Sequence, residues 1–147
     1  MRFSVLGIPV RVDPFFLVGL LMIWSWAGSN RAGLFAALFV GVFTLVHELG
    51  HAVTARHFGA ASAISLNLLV GWASYASPRP LTRKQRNIIS LAGPFTQIGL
   101  AVPVLFASYL SLPSGRTALD PVEFDSVQFD IWQGAIWAGV VIGLLNL

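Results

Sequence analysis

The feature that most constrains the fold is a set of long apolar runs that contain no charged side chain. The run from Ala32 to Val46 is one of them, and such runs are typical of helices buried in a membrane. Of the 147 residues, 56% are hydrophobic and only 10% are charged, which excludes an ordinary soluble domain. The sequence therefore predicts an α-helical, multispanning membrane protein.

About four segments are predicted to cross the membrane as helices, although the first is short for a span. Their predicted bounds are 15–27, 32–58, 87–112 and 131–147. Pro14 favours the start of the first helix, and Gly59 is suited to end the second. Gly93 and Pro94 lie inside the third, where proline kinks a helix and glycine permits the close approach of a neighbour.

Two segments outside the predicted helices favour extended structure. Residues 3–12 are rich in β-branched side chains and contain a glycine and a proline that oppose a helix. Residues 63–77 alternate between larger apolar and smaller or polar side chains as far as Gly71 and Trp72, which predicts a strand or a hairpin. We expect the two segments to pair as a small β-sheet near the cytoplasmic face of the membrane.

The distribution of lysine and arginine predicts that the N-terminus lies in the cytoplasm. In that orientation the cytoplasmic segments hold seven of the nine basic residues, and the outer segments hold two. The seven are Arg2, Arg11, Arg56, Arg79, Arg83, Lys84 and Arg86, and the two are Arg31 and Arg116. These topology signals explain the net charge of +3, so no nucleic-acid partner is expected. We expect a multi-pass protein of a bacterial cell membrane.

The second predicted span carries the motif His-Glu-x-x-His at His47, Glu48 and His51. Side chains four residues apart lie one turn apart on the same face of a helix, so both imidazoles can reach one metal ion. Glu48 can accept a proton from a water molecule bound to that metal. The chain has no cysteine, which leaves His, Asp and Glu as ligands. The motif predicts the site of a zinc-dependent peptidase.

The two histidines of the motif need not bind metal. Ionisable side chains in lipid are costly and usually functional, but two histidines can also be a buried pair that neighbouring helices satisfy. His57 extends the pattern to the spacing of a three-histidine zinc site. On a continuous helix, however, His57 lies about 80° from His47 and about 120° from His51, so it is expected to point elsewhere.

Together these features resemble the site-2 protease family of intramembrane zinc metalloproteases. The resemblance covers nearly the whole chain. Four segments carry it: the opening stretch Gly7–Pro14, the motif His47–His51, the hairpin end Gly71–Ala73, and the Leu-Ala-Gly-Pro sequence of residues 91–94. The motif alone occurs in many unrelated peptidases, and its combination with Ala-Gly-Pro and four spans is much more specific.

The resemblance implies that His47 and His51 bind one zinc ion. It implies that Glu48 activates the water that hydrolyses a peptide bond in or near a transmembrane segment of a substrate protein. The family's third ligand is an aspartate on a later span, and the final residues 143–147 look like the entry to that segment. We therefore expect residues 1–147 to form one membrane-embedded protease core, truncated before the third ligand, whose partners are the lipid bilayer and a substrate helix.

Neither Asp13 nor the acidic residues of the predicted outer loop is a good third ligand, because none is expected at the depth of the histidines. The loop residues are Asp120, Glu123, Asp125 and Asp130.

Besides the missing third ligand, the chain departs from the family at Gln97, which stands where the family usually has asparagine. We expect Gln97 and Gly71 to contact substrate, with the strand at 63–72 holding it by edge pairing. The alternatives are a packed helix glutamine at residue 97 and a lid or structural hairpin at 63–72.

A non-catalytic function is also compatible with the sequence. The chain could be a membrane metal-binding or scaffold protein with an incomplete zinc site. A transporter that uses histidines as proton relays fits less well, because only one cluster of ionisable residues is predicted inside the membrane. Stoichiometric zinc binding without cleavage would favour the non-catalytic interpretation.

Overall fold

A computed structural model of the protein describes residues 1–26, 31–68 and 70–111, together with Ala135 and Gly139. Within these residues the chain forms four strands and three helices. The strands are β1 (Arg2–Val5), β2 (Ile8–Val12), β3 (Ala61–Asn67) and β4 (Val70–Ala76). The helices are α1 (Pro14–Trp26), α2 (Arg31–His57) and α3 (Arg83–Ser111). The acidic loop, and the predicted fourth span apart from Ala135 and Gly139, lie outside the described residues.

Two of these helices are long and apolar enough to cross a membrane, over Gly33–His57 and Arg83–Val104, and α1 is a shorter apolar helix. Their outward side chains are large and apolar, as shown by Leu38 at 53% exposure and Phe95 at 66%. Such a surface is unfavourable in water and suits contact with lipid. The first three predicted helices are thus present.

Local sequence signals explain where α1 begins and where the motif helix α2 ends. Asp13 caps α1, since its Oδ1 accepts a hydrogen bond of 2.9 Å from the N–H of Phe15. Helix α2 ends at His57, and Gly59 follows it with a φ of +81°, which is favourable for glycine. The N–H of Gly59 donates to the carbonyl of Arg56, and the N–H of Ala60 donates to that of Ala55, which is the pairing of a Schellman motif. Both predicted ends are confirmed.

Helix α3 begins at Arg83, four residues before the predicted start at residue 87. Thr82 and Gln85 form a reciprocal capping box. The N–H of Thr82 donates to Oε1 of Gln85 over 2.9 Å, and Thr82 Oγ1 accepts from the N–H of Gln85 over 3.2 Å. The basic run that follows the cap is therefore the first turn of the helix rather than a loop before it.

The four strands form one sheet in the order β1-β2-β3-β4. The outer pairs are antiparallel, and β2 pairs parallel to β3 with Val10 opposite Ile64. This confirms the predicted pairing of the two extended segments. Of the two predicted alternatives for residues 63–77, the hairpin is confirmed, because β3 ends at Asn67 and the chain turns back into β4. A single strand over 63–72 is therefore not formed. The exposed edge beyond β3 therefore belongs to residues 70–76.

The sheet is fixed against the helices at two places. A buried cluster joins β2 and β3 to α1 and α2: Ile8, Val10, Phe16, Ala52, Ile64 and Leu66. At the β1–β2 turn, Leu6 and Gly7 have φ of 52° and 72°, as a two-residue hairpin requires. Arg56 at the end of α2 donates a hydrogen bond of 2.7 Å to the carbonyl of Leu6. The end of the motif helix is thereby tied to the sheet.

Helices α2 and α3 run antiparallel and approach closely at glycines. A Cβ added to Gly50 would lie 2.6 Å from the carbonyl oxygen of Ala92, which is shorter than real side chains allow. At the next residue of each helix, a Cβ on Gly93 would overlap the imidazole of His51. This confirms the prediction that Gly93 permits close approach, and the neighbour it admits is a residue of the motif.

Candidate metal centre

His47 and His51 lie one turn apart on α2, and both are partly buried between α2 and α3. Their Nε2 atoms are 3.1 Å apart. The rings meet edge to face, with centroids 4.8 Å apart. The helical spacing thus brings the two imidazoles together as the motif predicted.

The outer nitrogen of each ring has a hydrogen-bond acceptor. Nδ1 of His47 lies 2.9 Å from Oε1 of Gln97, and Nδ1 of His51 lies 2.7 Å from the main-chain oxygen of Ile89. A carbonyl oxygen can only accept, so each Nδ1 carries the hydrogen in a neutral ring. Each Nε2 then presents a lone pair, and the two lone pairs face each other.

This arrangement fits a bound metal ion. Two lone pairs at 3.1 Å cannot form a hydrogen bond with each other and are stabilised by a shared electrophile. In tetrahedral coordination with Zn–N distances near 2.0–2.1 Å, two ligand nitrogens are separated by about 3.3 Å. Histidines that bind metal commonly donate their other N–H to a carbonyl group, as both rings do. The donor set of His47 and His51 therefore fits zinc.

Glu48 lies beside the histidine pair and faces the sheet. Its side chain is only 7% exposed and accepts a hydrogen bond from the main-chain N–H of Ala73 in β4. Gly71 packs against the same side chain, since a Cβ there would overlap Glu48. In strand β4, the N–H of Ala73 thus holds the carboxylate of Glu48, and the lack of a side chain at Gly71 leaves room for it.

A cleft of about 390 Å³ opens at this point between α2, β4 and α3. Glu48 and His51 line it from α2, and Ser90 lines it from α3. The chain of α3 continues through Pro94, which has no N–H to donate to the carbonyl of Ser90. The cleft is therefore lined by the motif, by strand β4 and by Ser90, whose carbonyl receives no hydrogen bond from residue 94 of the helix.

No third histidine, aspartate or glutamate joins the pair within the described part of the chain. His57 is exposed at the end of α2 and stacks edge to face with Phe58 at 5.4 Å. Asp13 caps α1. The acidic residues at 120, 123, 125 and 130 lie outside the described residues.

Gln97 and Gly71, the two residues predicted to contact substrate, lie against residues of the motif, which the sequence did not indicate. Gln97 is 1% exposed and bonds His47, while Gly71 packs on Glu48. Sequence analysis also missed the carbonyl of Ile89 as the partner of His51. The one available signal was the polarity of Gln97 in an apolar helix, which marks an intramembrane site without naming its partner.

No family model matches the chain. A curated zinc metalloprotease of Methanocaldococcus jannaschii is 29% identical to it over 108 residues, which are 72% of this chain and 31% of the relative. The solved structure of a site-2 protease from Methanocaldococcus jannaschii superposes with a TM-score of 0.63 at 19% identity. That superposition covers 95% of this chain and 62% of the solved one.

The sequence match and the fold match agree with the resemblance carried by the motif and by Ala-Gly-Pro. Both matches support an assignment to the site-2 protease family. The chain spans less than a third of the curated relative and 62% of the solved site-2 protease. Within this site-2 protease fold, the described residues supply the motif helix α2, the sheet and α3.

Proposed function

We propose that this chain is the membrane-embedded core of a zinc metalloprotease that hydrolyses a peptide bond in or near a transmembrane segment of a substrate protein. The observation that carries the proposal is the pair of Nε2 lone pairs, 3.1 Å apart, on His47 and His51. Glu48 stands one residue from the first histidine and opens to the same cleft. The family assignment supports the metalloprotease class.

His47 and His51 would hold the zinc ion. When bound, zinc lowers the pKa of water towards about 7 and polarises a carbonyl group. Glu48 accepts the proton of the attacking water and delivers it to the nitrogen of the leaving amine. The N–H of Ala73 orients the carboxylate for this transfer, and the largely buried position of Glu48 restricts competing contacts with solvent.

A substrate strand is proposed to bind along the edge of β4 that no described strand occupies. The N–H of Ala73 points to Glu48, so it faces away from β3. Main-chain groups alternate in direction along an antiparallel strand, which gives Gly71 and Tyr75 the same orientation. Their N–H and C=O groups can pair with an extended peptide at the cleft. Such pairing would keep a substrate helix unwound, with its carbonyls free for attack.

Tyr75→Pro tests this edge pairing. Proline removes the N–H of residue 75 and is compatible with an edge strand, so β3–β4 pairing is expected to survive. We expect the KM for a membrane-embedded substrate to rise about 2- to 10-fold, because one main-chain hydrogen bond is worth about 0.5–1.5 kcal/mol. Cleavage kinetics in proteoliposomes measure the change.

Tyr75→Val is the matched control, since it removes the ring but retains the N–H. Its KM is expected to lie near that of the wild type. Equal KM values for the proline and valine variants, both raised, would assign the effect to the ring. A proline variant with the wild-type KM would exclude edge pairing at this position.

The remaining parts of the proposal concern the membrane. The basic residues predict a cytoplasmic N-terminus, which would put the sheet and the cleft on the cytoplasmic side. Residues 1–147 are proposed to form one membrane-embedded unit whose partners are lipid and a substrate helix. The third zinc ligand is proposed to be an aspartate, as the family resemblance implies.

The proposed function is tested on the complete protein, expressed from its natural reading frame and reconstituted with a single-span test substrate. We expect one zinc ion per chain and a cleavage product whose new termini lie in or near the span. Stoichiometric zinc without any cleavage would favour the non-catalytic scaffold instead. Cleavage that persists after complete removal of zinc would contradict the proposal.

A further inference from the structure

The two histidines differ in what holds their outer nitrogens. His51 bonds a main-chain oxygen, that of Ile89, over 2.7 Å. His47 instead bonds the side chain of Gln97 over 2.9 Å. The orientation of His47 therefore depends on the identity of one residue of α3, whereas that of His51 depends on the path of the helix backbone.

We propose that Gln97 is a positioning residue, which fixes the tautomer and the ring orientation of His47 so that its Nε2 can bind metal. This inference rests on the proposed function, because it concerns the same zinc site. It assigns Gln97 to the histidine rather than to the substrate.

The surroundings of Gln97 determine which way its amide faces. The amide nitrogen donates to the carbonyl of Gly139 over 3.4 Å, while Oε1 faces His47. With the amide turned over, its oxygen would oppose the Gly139 carbonyl, and two acceptors would meet. The observed orientation therefore leaves Oε1 as the acceptor and requires a hydrogen on Nδ1 of His47.

Burial makes this hydrogen bond effective. Gln97 is 1% exposed, so water does not compete for Oε1. In a buried site an unmade hydrogen bond is costly, which favours the Nδ1–H tautomer of His47 over the alternative. With the proton on Nδ1, the lone pair of Nε2 faces that of His51. Partners of this kind contribute about 10- to 100-fold to metal affinity in other proteins.

The test uses Gln97→Met and Gln97→Glu in the complete protein. Methionine keeps the length and approximate shape of the side chain but removes the acceptor. Glutamate keeps an acceptor for the same N–H and, as the protonated acid, also a donor for the Gly139 carbonyl. Zinc affinity is measured by competition with a chelator of known affinity. We expect the methionine variant to bind zinc about 10- to 100-fold more weakly and the glutamate variant to stay close to the wild type.

Cobalt(II) substitution gives a second readout that does not depend on activity. The visible absorption of bound cobalt reports ligand orientation, so we expect it to change with Gln97→Met and to be retained with Gln97→Glu. Asn87→Ala is the matched control, because it removes an exposed amide from the same helix. Thermal unfolding of the metal-free proteins establishes that each variant is folded.

Two results would overturn the inference. Zinc affinity and a cobalt spectrum unchanged by Gln97→Met would make Gln97 a packing residue. Equal weakening by methionine and glutamate would assign the effect to packing rather than to the hydrogen bond. Failure of the proposed function would be recognised separately from these results, because the wild-type protein itself would then bind no stoichiometric zinc.

Discussion

Replacing Glu48 by glutamine is expected to reduce proteolysis by about 100- to 10,000-fold, the usual contribution of a general acid–base group. Glutamine has the same shape, and its amide oxygen can still accept the hydrogen bond from the N–H of Ala73. Strand β4 and the cleft should therefore stay in place. The variant loses the capacity to accept a proton from water, and cleavage of a reconstituted substrate measures the loss.

The control for Glu48→Gln is its zinc content. His47 and His51 are unchanged, so we expect one zinc ion per chain, as in the wild type. A variant that binds zinc and cleaves at the wild-type rate would exclude Glu48 as the proton acceptor. A variant that loses its zinc would show that Glu48 supports the metal site itself.

Replacing Gly93 by alanine is expected to disrupt the metal centre without touching a ligand. The added Cβ would occupy the space of the His51 imidazole and overlap the Nε2 side of the ring. The ring must then turn away from His47, or α2 and α3 must separate. Because loss of an outer partner alone costs about 10- to 100-fold in metal affinity, displacement of a ligand should cost more than about 100-fold.

Gly99→Ala is the matched control for Gly93→Ala. It lies on the same helix, and a Cβ there would meet no neighbouring atom of the described residues within 4 Å. Any general effect of alanine on helix stability is common to both variants. Chelator competition should show wild-type zinc affinity for Gly99→Ala. Equal affinities in the two variants would contradict the close packing of His51 on Gly93.

Much of the fold could be predicted from local signals. Charge-free runs indicated the helices, and Gly59 indicated the end of α2 because a left-handed position there favours glycine. The early start of α3 was also encoded locally, as the capping pair Thr82 and Gln85 shows. That start was missed because the basic run beside it was interpreted as a connecting segment.

The site was only partly predictable, for a physical reason. His47, Glu48 and His51 are related by the period of one helix, which a sequence displays directly. The contact of His47 with Gln97 joins residues fifty positions apart. It depends on how closely α2 and α3 pack. The contact of Glu48 with Gly71 and Ala73 depends on where β4 turns, which a hydropathy pattern does not specify.

The most direct test of zinc binding by His47 and His51 is zinc K-edge X-ray absorption on the complete wild-type protein, combined with its metal content. We expect one zinc ion per chain with two imidazole nitrogens at about 2.0–2.1 Å, and no bound zinc in the double variant His47→Ala/His51→Ala. Zinc bound equally by the double variant, or a wild-type spectrum without imidazole scattering, would contradict this expectation.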